Sequence, residues 1–428
     1  MTHIAIDGPG GAGKSSVAKL IAARLKFIYV DTGALYRAVG YYMVSNGIAP
    51  SDKEKVIAAL PSVKITLKFT DKQELYLCGK DVGDKIRTPE ISMAASTVSA
   101  IPEVRAFLLD TQRNIAKKNN VIMDGRDIGT VILPKADLKI FLFASPEARA
   151  QRRYEELKNK GEVTTYEAVL AEMNERDKND STRATAPCVP AEDAILLDNS
   201  TLDLNGTADA IISLLEKRKK LTKEIRNYSF WRAILGAPLR VLFGVKLIGK
   251  ENIPNEGGVL ICANHIGMRD PVLLAASYPR QVRFLAKKEL FSVPIIRGII
   301  TAFGAIRLDR STSDVGALKK AEEMIRFRQT VAIFPQGHRN PSTPVGETEF
   351  KRGASFIVSH TGCSVLPVYI QTKNQKYGLF RRVKLHIGKL IPPEQLLSRE
   401  GESGYEAIID RIREAIIDLE AKANGEVK

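Results

Sequence analysis

Residues 4–17 read IAIDGPGGAGKSSV, and this stretch narrows the fold of the first half of the chain to two candidates. The glycines at positions 8, 10 and 13 fit G-x-G-x-x-G, the turn that binds dinucleotides. With the Lys14 and Ser15 that follow, the stretch also fits G-x-x-x-x-G-K-[ST], the loop that binds nucleoside triphosphates. Both loops follow a short apolar strand and begin a helix, and Asp31 lies where a ribose-binding acid of the dinucleotide fold would lie. The local pattern therefore leaves two folds open.

Lys14 and Ser15 favour the triphosphate loop. In that loop the backbone N–H groups surround the phosphates, the lysine reaches the β- and γ-phosphate oxygens, and the serine hydroxyl helps to hold Mg²⁺. A helix that begins there adds the positive end of its dipole. A dinucleotide turn leaves the lysine unexplained. We therefore predict an ATP-binding loop made of Gly8, Pro9, Gly10, Gly11, Ala12, Gly13, Lys14, Ser15 and Ser16.

Length and composition bound the class of protein. A chain of 428 residues exceeds the usual size of one hydrophobic core, so we expect two domains. The 44% apolar and 26% charged residues are typical of folded soluble proteins. The four cysteines are far apart and show no C-x-x-C spacing, which argues against a disulfide framework or a zinc site. The start MTHIAIDG has no signal-peptide pattern, and no apolar run reaches the ~20 residues of a spanning helix, so we expect a cytoplasmic protein.

The net charge of +15 is unevenly distributed along the chain. Residues 1–200 hold 28 Lys and Arg against 26 Asp and Glu, whereas residues 201–428 hold 36 against 23, a net of +13. A basic half is typical of proteins that bind nucleic acids, anionic membranes or phosphorylated substrates. The run EKRKKLTKEIRNY at 216–228 resembles a solvated connector, although an exposed helix end fits it as well. We predict two domains, at 1–218 and 219–428.

Four further strings in the first half carry acidic, basic and hydroxyl side chains. They are DTGALYR at 31–37, AASTVSAIPEVR at 94–105, DGRDIGT at 124–130 and ERDKNDSTRA at 175–184. Phosphoryl transfer brings two polyanions together and depends on positioning and charge stabilisation, so several arginines near a triphosphate loop fit a nucleoside monophosphate kinase. These residue types alone leave the base of the acceptor nucleotide open.

Together with the loop, these strings resemble those of bacterial cytidylate kinases, in the same order, over residues 1–215. The resemblance implies an α/β P-loop kinase with a parallel sheet, an insert near 60–105 that binds the monophosphate, and a lid near 150–183. It also implies phosphoryl transfer from ATP to CMP or dCMP, giving CDP or dCDP, with Mg²⁺ as the cofactor. A kinase with another base preference is the alternative.

The same resemblance implies three groups of site residues. The acceptor phosphate would be bound by Arg37, Arg105 and Arg126. The rest of the acceptor nucleotide would be contacted by Asp31, Thr32, Tyr36, Ser96, Arg105, Asp127 and Asp180. The transferring phosphoryl group would be neutralised by Lys14, Arg176 and Arg183, and Mg²⁺ would be held by Ser15 and Asp124.

An apolar strand in the second half ends at a histidine and an aspartate. VLICANHIGMRD at 259–270 places His265 five residues before Asp270, and a carboxylate at this spacing can hold an imidazole as a general base. The spacing alone is a weak signal. Three later strings strengthen it, namely FGAIRLDR at 303–310, VAIFPQGHRN at 331–340 and FKRGASFIVSHTGCSVLPVYI at 350–370.

This ordered set resembles the glycerolipid acyltransferases, specifically bacterial 1-acylglycerol-3-phosphate acyltransferases, over residues 235–395. The resemblance implies a second α/β domain in which His265, oriented by Asp270, deprotonates the hydroxyl of a lysophosphatidate. The alkoxide would attack an acyl thioester, of coenzyme A or acyl carrier protein, to give phosphatidate. The resemblance implies an acceptor-binding set of Arg307, Gly337, Lys351 and Arg352.

One motif departs from that family. The usual F-P-E-G-T-R reads FPQGHR at 334–339, so Gln336 keeps the shape of the side chain and lacks its negative charge. A domain that tethers the kinase to a membrane without catalysing acyl transfer is therefore the alternative.

The segment YSFWRAILGAPLRVLFGVKLIG at 228–249 interleaves large apolar residues with cations. Such a stretch can lie at an anionic lipid surface, and a helix packed on the domain core fits it equally well. The basic half shows no recognition-helix signature, so we expect no nucleic-acid partner. We predict a cytoplasmic bifunctional transferase of pyrimidine metabolism and phospholipid biosynthesis, peripheral on the inner face of the membrane.

Overall fold

The computed structural model describes residues 1–69, 73–159, 161–182, 185–309, 315–373, 377, 382–397 and 404–425. The chain folds as two compact units, Met1–Lys219 and Lys220–Lys428. Each unit has its own sheet and its own apolar core.

The first unit is built on a five-stranded sheet in which every neighbouring pair is parallel, in the order β2-β6-β1-β7-β8. Its strands are β1 (His3–Asp7), β2 (Ile28–Asp31), β6 (Val121–Gly125), β7 (Leu138–Phe143) and β8 (Ile195–Asp198). Apolar residues fill the central strands without alternation, because helices cover both faces of a parallel sheet. The carboxyl ends of β1, β2 and β6 are adjacent, which brings their following loops together.

An antiparallel insert lies within the first unit, where the sequence predicts the monophosphate-binding insert. Its three strands are β3 (Ile65–Phe69), β4 (Gln73–Leu77) and β5 (Lys80–Asp81). The helices of this unit are α1 (Lys14–Leu25), α2 (Thr32–Ser45), α3 (Lys53–Ala59), α4 (Pro89–Ser99), α5 (Pro102–Lys118), α6 (Pro146–Asn159), α7 (Tyr166–Thr182) and α8 (Leu204–Leu242), the last of which contains the boundary between the units. Leu35, Val39 and Met43 of α2 belong to the apolar cluster that joins this helix to the insert.

The second unit has a seven-stranded sheet in the order β12-β11-β13-β10-β14-β15-β9. Its strands are β9 (Lys246–Ile248), β10 (Val259–Ala263), β11 (Val282–Lys287), β12 (Ile306–Leu308), β13 (Thr330–Ile333), β14 (Ser364–Thr372) and β15 (Val383–Ile387). All pairs are parallel except β14 with β15. The helices after α8 are α9 (Asp270–Ser277), α10 (Pro294–Ala302), α11 (Val315–Arg326), α12 (Gly353–Thr361), α13 (Pro393–Leu397) and α14 (Gly404–Asn424).

Both predicted α/β architectures are confirmed. The stretch predicted to be amphipathic, by contrast, is split between a helix and a strand. The expected amphipathic stretch 228–249 contains the last turns of α8, which end at Leu242, and the edge strand β9. Within the described ranges, no helix has the length and apolar content needed to cross a membrane.

Candidate active sites

The loop between β1 and α1 has the backbone of a phosphate cradle. Gly8 has a φ of 144°, and a Cβ added there would lie 2.0 Å from the carbonyl oxygen of Leu142. Gly13, with a φ of 82°, immediately precedes α1 and is followed by its free N–H groups. Only glycine fits these positions, so the loop can curl back and present backbone donors at the helix N-terminus.

Lys14 lies at the first position of α1 and is buried. Its Nζ donates to the carbonyl oxygen of Pro9 at 2.6 Å. Burial, and then the nearby charge of Arg126, lower the pKa of Lys14 from 10.5 to about 7. The loop therefore holds a cation at a place where it is destabilised until an anion arrives.

Ser15 and Asp124, the predicted metal ligands, are in contact. Ser15 Oγ donates to one carboxylate oxygen of Asp124 at 2.6 Å, and the hydroxyl of Tyr29 donates to the other at 2.9 Å. Thr32 Oγ1 donates to the carbonyl oxygen of Asp124 at 2.7 Å. Burial, followed by the charge of Asp31, raises the pKa of Asp124. A hydroxyl and a buried carboxylate that lacks a full cation partner fit a hard divalent ion.

The predicted phosphate-binding arginines each face a carboxylate. Arg37 Nη2 lies 2.8 Å from Asp31, whose other oxygen accepts the N–H of Ala34 and so caps α2. Arg126 Nε donates to Asp180 at 2.8 Å, and these two groups are 54 residues apart. Such pairs hold the guanidinium groups in place before a phosphate binds.

Arg105 makes three contacts that orient it. It pairs with Asp127, donates to the carbonyl oxygen of Ser99 at 3.1 Å, and lies over the ring of Tyr36 at 5.4 Å. Ser96, the third predicted base-reading residue, is exposed on α4. The structure therefore brings Arg105, Asp127 and Tyr36 together and leaves Ser96 at the surface of its helix.

Arg176 lies near the same group of cations. Burial, and then the charge of Arg126, lower the pKa of Arg176, and Arg37 acts in the same direction. Arg126 also lowers the pKa of Lys14. The positive charges of Arg37, Arg126, Arg176 and Lys14 are therefore close enough to repel one another within one site. Arg183, the other predicted lid cation, lies outside the described residues.

The sequence reasoning missed two side chains that hold the loop. Arg149 is buried, its Nη1 donates to the carbonyl oxygen of Gly10 at 2.9 Å, and it pairs with Asp177 of α7 at 2.6 Å. Asn199 Nδ2 donates to the carbonyl oxygen of Ala12 at 2.9 Å. Arg149 belongs to the run PEARAQRR, and its charge density resembles that of an ordinary exposed helix. No local signal separates a buried arginine there from its exposed neighbours.

In the second unit, the turn after β10 joins His265 to Asp270. Nδ1 of His265 lies 2.6 Å from Oδ2 of Asp270, and this aspartate has no exposed surface. The same oxygen accepts the N–H groups of Ile266 and Gly267 at 2.7 and 2.9 Å. Since the carboxylate accepts from Nδ1, the neutral imidazole keeps a free lone pair on Nε2, the atom that a general base needs.

The imidazole is held from two further directions. The ring of Phe334 stacks on it with 4.2 Å between centroids and 18° between planes. The backbone N–H of His265 donates to Oε1 of Gln336 at 2.7 Å, and its carbonyl oxygen accepts the N–H of Asn340 at 2.7 Å. Residues 334–340 therefore fix both the ring and the main chain of this histidine.

Two acceptor-binding candidates, Lys351 and Arg352, lie at different places around the FPQGHR motif at 334–339, which we call the third motif. A Cβ on Gly337, whose φ is 73°, would lie 2.7 Å from Cε of Lys351, so this lysine covers the turn that follows Gln336. Arg352 is exposed, as Lys351 is, but it pairs with Glu406 of α14. The two neighbours therefore differ, and Lys351 is the one directed at the turn.

Arg307 lies on β12, the edge strand, three strands away from β10. It lines a cavity of about 420 Å³ together with Glu224, Arg283 and Lys320. Among the contacts of the described residues, none joins Arg307 or Arg352 to the turn of His265.

Asn264 and Tyr377 were not predicted as site residues. Asn264 is buried and exchanges hydrogen bonds with the backbone of Ile370 at 2.6 and 3.1 Å, which fixes the end of β10 against β14. The hydroxyl of Tyr377 donates to Oδ1 of Asp270. Asparagine beside the histidine was visible in the sequence, whereas Tyr377 is 107 residues from its partner and carries no local signal.

A triphosphate loop after the first strand of a parallel sheet, with lysine and arginine side chains around it, defines the first unit as a P-loop phosphotransferase. The second unit has a histidine–aspartate pair at the end of a central strand of its own sheet. This pair has the geometry of a general base, which is a different catalytic arrangement from that of the phosphotransferase. The family models agree: the one described as cytidylate kinase matches residues 4–217, and the one described as acyltransferase matches residues 244–371. The chain belongs to the cytidylate kinase family and carries an acyltransferase domain in its second half.

Individual relatives agree with this assignment. The cytidylate kinase of Caldicellulosiruptor bescii is 50% identical over 216 residues, which cover 50% of this chain and 96% of that protein. The cytidylate kinase of Fervidobacterium nodosum is 49% identical over 218 residues, 51% of this chain and 98% of that protein. A solved 1-acyl-sn-glycerophosphate acyltransferase from Thermotoga maritima is 25% identical, covers 48% of this chain and 83% of its own, and has a TM-score of 0.36. The assignment of the second unit rests on the family model and not on this superposition.

Proposed function

We propose that the first unit transfers the γ-phosphoryl group of ATP to the phosphate of CMP or dCMP. The observation that carries this is that Lys14 and Arg126 both lie at the loop before α1: Lys14 Nζ donates to Pro9 at 2.6 Å, and Arg126 Nη2 would lie 3.5 Å from a Cβ on Gly10. The charge of Arg126 lowers the pKa of both Lys14 and Arg176. Two nucleotide polyanions would relieve that repulsion. The bond between the γ-phosphorus and the β–γ bridging oxygen breaks as the acceptor phosphate oxygen bonds to the phosphorus, and ADP leaves.

Mg²⁺ fits this site through Ser15 and Asp124, whose oxygens are already in contact. When bound with ATP, the ion neutralises charge on the phosphate oxygens. The side chains bind and neutralise the phosphates. Lys14 neutralises the β- and γ-phosphates, and Arg126 and Arg37 exchange their carboxylate partners for the acceptor phosphate. Arg176 neutralises the transferring phosphoryl group.

The base preference rests on Arg105 and Asp127. A carboxylate held by Arg105 accepts a hydrogen bond from the exocyclic amine of cytosine, and uracil would leave it opposite a carbonyl oxygen. An unpaired buried acceptor costs about 1–3 kcal/mol, enough for roughly tenfold to hundredfold discrimination. Rates of phosphoryl transfer to CMP, dCMP, UMP and AMP test this preference. A rate with UMP or AMP above that with CMP would favour a kinase of another specificity.

For the second unit we propose acyl transfer from a thioester to a 1-acylglycerol-3-phosphate. Nε2 of His265 takes the proton of the acceptor hydroxyl, the oxygen bonds to the thioester carbonyl carbon, and the carbon–sulfur bond breaks to release the thiol, which takes up a proton. The observation that carries this is the 2.6 Å contact of His265 Nδ1 with a fully buried carboxylate. Lys351 lies against Gly337, where a Cβ would be 3.2 Å from its Nζ, and is proposed to bind the acceptor phosphate.

Acylation of lysophosphatidate by the wild-type chain and by His265→Ala tests this proposal. The matched control is His360→Ala, which changes an exposed histidine of α12 in the same unit. We expect loss of roughly 1,000-fold or more in kcat/KM for His265→Ala and no loss for the control. Equal rates in all three proteins would favour the non-catalytic tether.

We also propose that the last turns of α8 contact an anionic lipid surface. Phe230, Trp231, Ile234, Leu235 and Val241 are exposed, and their spacing places them on one face of the helix. Tyr228 and Gly236 of the same helix are buried and contact the backbone of α9. Exposed Lys223 and Arg226 on the same helix fit anionic headgroups.

Sedimentation with vesicles that contain phosphatidylglycerol tests the lipid contact. We expect Trp231→Glu and Leu235→Glu to reduce binding about tenfold each, because a charge replaces buried apolar area. Leu196→Glu, which changes an exposed leucine of β8, is the matched control and should bind like wild type. Unchanged binding of all variants would leave lipid contact by this face without support.

We propose 1–218 and 219–428 as the limits of the two catalytic domains. Separate expression of the two segments, each assayed for its own reaction, tests these limits. Activity of the intact chain alone would contradict them.

A further inference from the structure

Position 336 holds an amide where the sequence resemblance leads one to expect a carboxylate. Gln336 is 1% exposed, so its side chain must find all of its hydrogen-bond partners within the protein. Its Oε1 accepts the backbone N–H of His265 at 2.7 Å. Its Nε2 donates to Oγ1 of Thr348 at 2.9 Å.

The hydroxyl of Thr348 determines which side chain position 336 can hold. This hydroxyl has a single proton, and it donates that proton to the carbonyl oxygen of Val345 at 2.8 Å. Toward position 336 the threonine oxygen can therefore only accept. The side chain at 336 must accept from His265 and donate to Thr348 at the same time, which an amide does and an ionised carboxylate does not.

We infer that Gln336 is a positioning residue for the general base, and that its neutral amide is the matched partner of Thr348 in this chain. This inference rests on acyl transfer at His265 as proposed above. The hydrogen bonds of Gln336 in the described part of the chain go to the backbone of His265 and to Thr348, so it acts by fixing the main chain from which the imidazole ring projects. The charge missing from the motif therefore leaves the acyltransferase competent.

An ionised glutamate at this position would break the arrangement. It would face an oxygen that cannot donate to it unless Thr348 withdraws its hydroxyl proton from the carbonyl oxygen of Val345. In the first case the glutamate oxygen stays unpaired, and in the second Val345 loses its shorter hydrogen bond and keeps only the backbone N–H of Thr348 at 3.1 Å. The ionisable groups near this turn include His265 and Asp270 from the β10–α9 turn and Lys351 from the segment before α12. His338 and Arg339 follow Gln336 in the turn itself, and Glu347 and Glu349 flank Thr348. A protonated glutamate could both donate and accept, and so would mimic the amide.

The test compares Gln336→Glu and Gln336→Leu with wild type across a range of pH, on the full-length chain, with lysophosphatidate and an acyl thioester. Burial raises the pKa of a carboxyl group, so the glutamate variant should be close to wild type at acidic pH and lose activity as pH rises. We expect kcat/KM within about threefold of wild type near pH 5.5 and roughly 100-fold lower near pH 8.5, because a displaced general base costs about that factor. Gln336→Leu, which lacks the acceptor altogether, should show the large loss at every pH.

Gln329→Glu is the matched control. Gln329 is also buried, lies immediately before β13, and donates to the carbonyl oxygen of Phe327 at 3.2 Å, away from His265. Gln329→Glu should lower the thermal unfolding temperature of the second unit. The ratio of its kcat/KM to that of the wild-type chain should stay the same at every pH. A Gln336→Glu profile parallel to wild type, or a Gln329→Glu profile with the same fall, overturns the inference while acyl transfer stands.

If the wild-type chain does not acylate lysophosphatidate, the proposed function fails. The hydrogen bond from Gln336 to Thr348 can still be tested by measuring unfolding temperatures. In that case an unfolding-temperature deficit of Gln336→Glu that grows with pH more than that of Gln329→Glu supports the matched Gln336–Thr348 pair. Equal deficits at all pH values overturn it.

Discussion

Lys14 should take up a proton when the chain binds ATP. In the free protein, burial and Arg126 lower its pKa from 10.5 to about 7, so near pH 8 only about one tenth of the molecules carry a charged lysine. The phosphates of ATP place negative charge beside Nζ and restore the charged form. The difference amounts to about 0.9 proton taken up per ATP bound near pH 8, and affinity should fall about eightfold between pH 7.5 and 8.5.

The direction of this effect follows from the sign of the shift. A lysine whose pKa is lowered in the free state binds its proton on complex formation, so binding weakens as pH rises above about 7. Two nearby groups contribute little near pH 8: burial raises the pKa of Cys188 above 9, and Asp7, whose pKa is raised to about 6 by burial, is already almost fully ionised. Asp124, whose pKa is also raised by burial, is the remaining nearby group, and it is unchanged in the Lys14→Arg variant, so the uptake lost in that variant is assigned to Lys14.

Calorimetric titration of the intact chain with ATP, in buffers of different ionisation enthalpy, measures this proton directly. Lys14→Arg is the matched variant, because a guanidinium keeps the charge and does not titrate in this range. We expect weaker binding and less than about 0.2 proton taken up for this variant. Uptake near zero in the wild-type chain, or equal uptake in both proteins, would refute the assignment of a lowered pKa to Lys14.

Three further outcomes follow from the contacts described above. Gly8→Ala should destabilise the first unit by roughly 3 kcal/mol in denaturant unfolding, because the new Cβ meets the Leu142 carbonyl, whereas Gly47→Ala, with open space around it, should cost about 1 kcal/mol; equal costs would contradict the close approach. Arg105→Lys should raise KM for CMP about tenfold and leave KM for ATP unchanged, because an ammonium cannot bind Asp127, Ser99 and Tyr36 together, and an equal effect on both nucleotides would place Arg105 elsewhere in the mechanism. Asn264→Ala should destabilise the second unit by about 3 kcal/mol without changing the kinase rate, since two backbone hydrogen bonds of Ile370 are lost; a cost below about 1 kcal/mol would show that this asparagine does not fix β10.

The roles of the phosphate-binding candidates in both units are proposals, because a position in the structure does not by itself show what a side chain binds. The family resemblance implies that Arg37, Arg105 and Arg126 bind one phosphate, and in the structure each is held by an acidic partner. Arg307 and Arg352 were grouped with Lys351, and only Lys351 contacts the third-motif turn. Neighbours in sequence on strands and helix ends face different ways, and spacing alone does not determine which of them faces a site.

Features that depend on a few consecutive residues could be predicted from the amino-acid sequence. The triphosphate loop is one, since glycines with positive φ and a helix start form locally. The His265–Asp270 pair is another, because a five-residue turn closes on itself and the carboxylate caps the N–H groups within it. The two family resemblances also come from ordered local motifs, and both are confirmed.

Which groups distant in the chain become partners depends on the three-dimensional fold. Arg149 and Gly10 are 139 residues apart, Gln336 and His265 are 71 apart, and each pair meets because the order of strands in the sheet brings two loops to one edge. Burial then sets the chemistry: it lowers the pKa of Lys14, and it requires Gln336 to satisfy an acceptor and a donor at once. Neither depends on residues that are adjacent in the chain, so neither could be predicted before the fold was known.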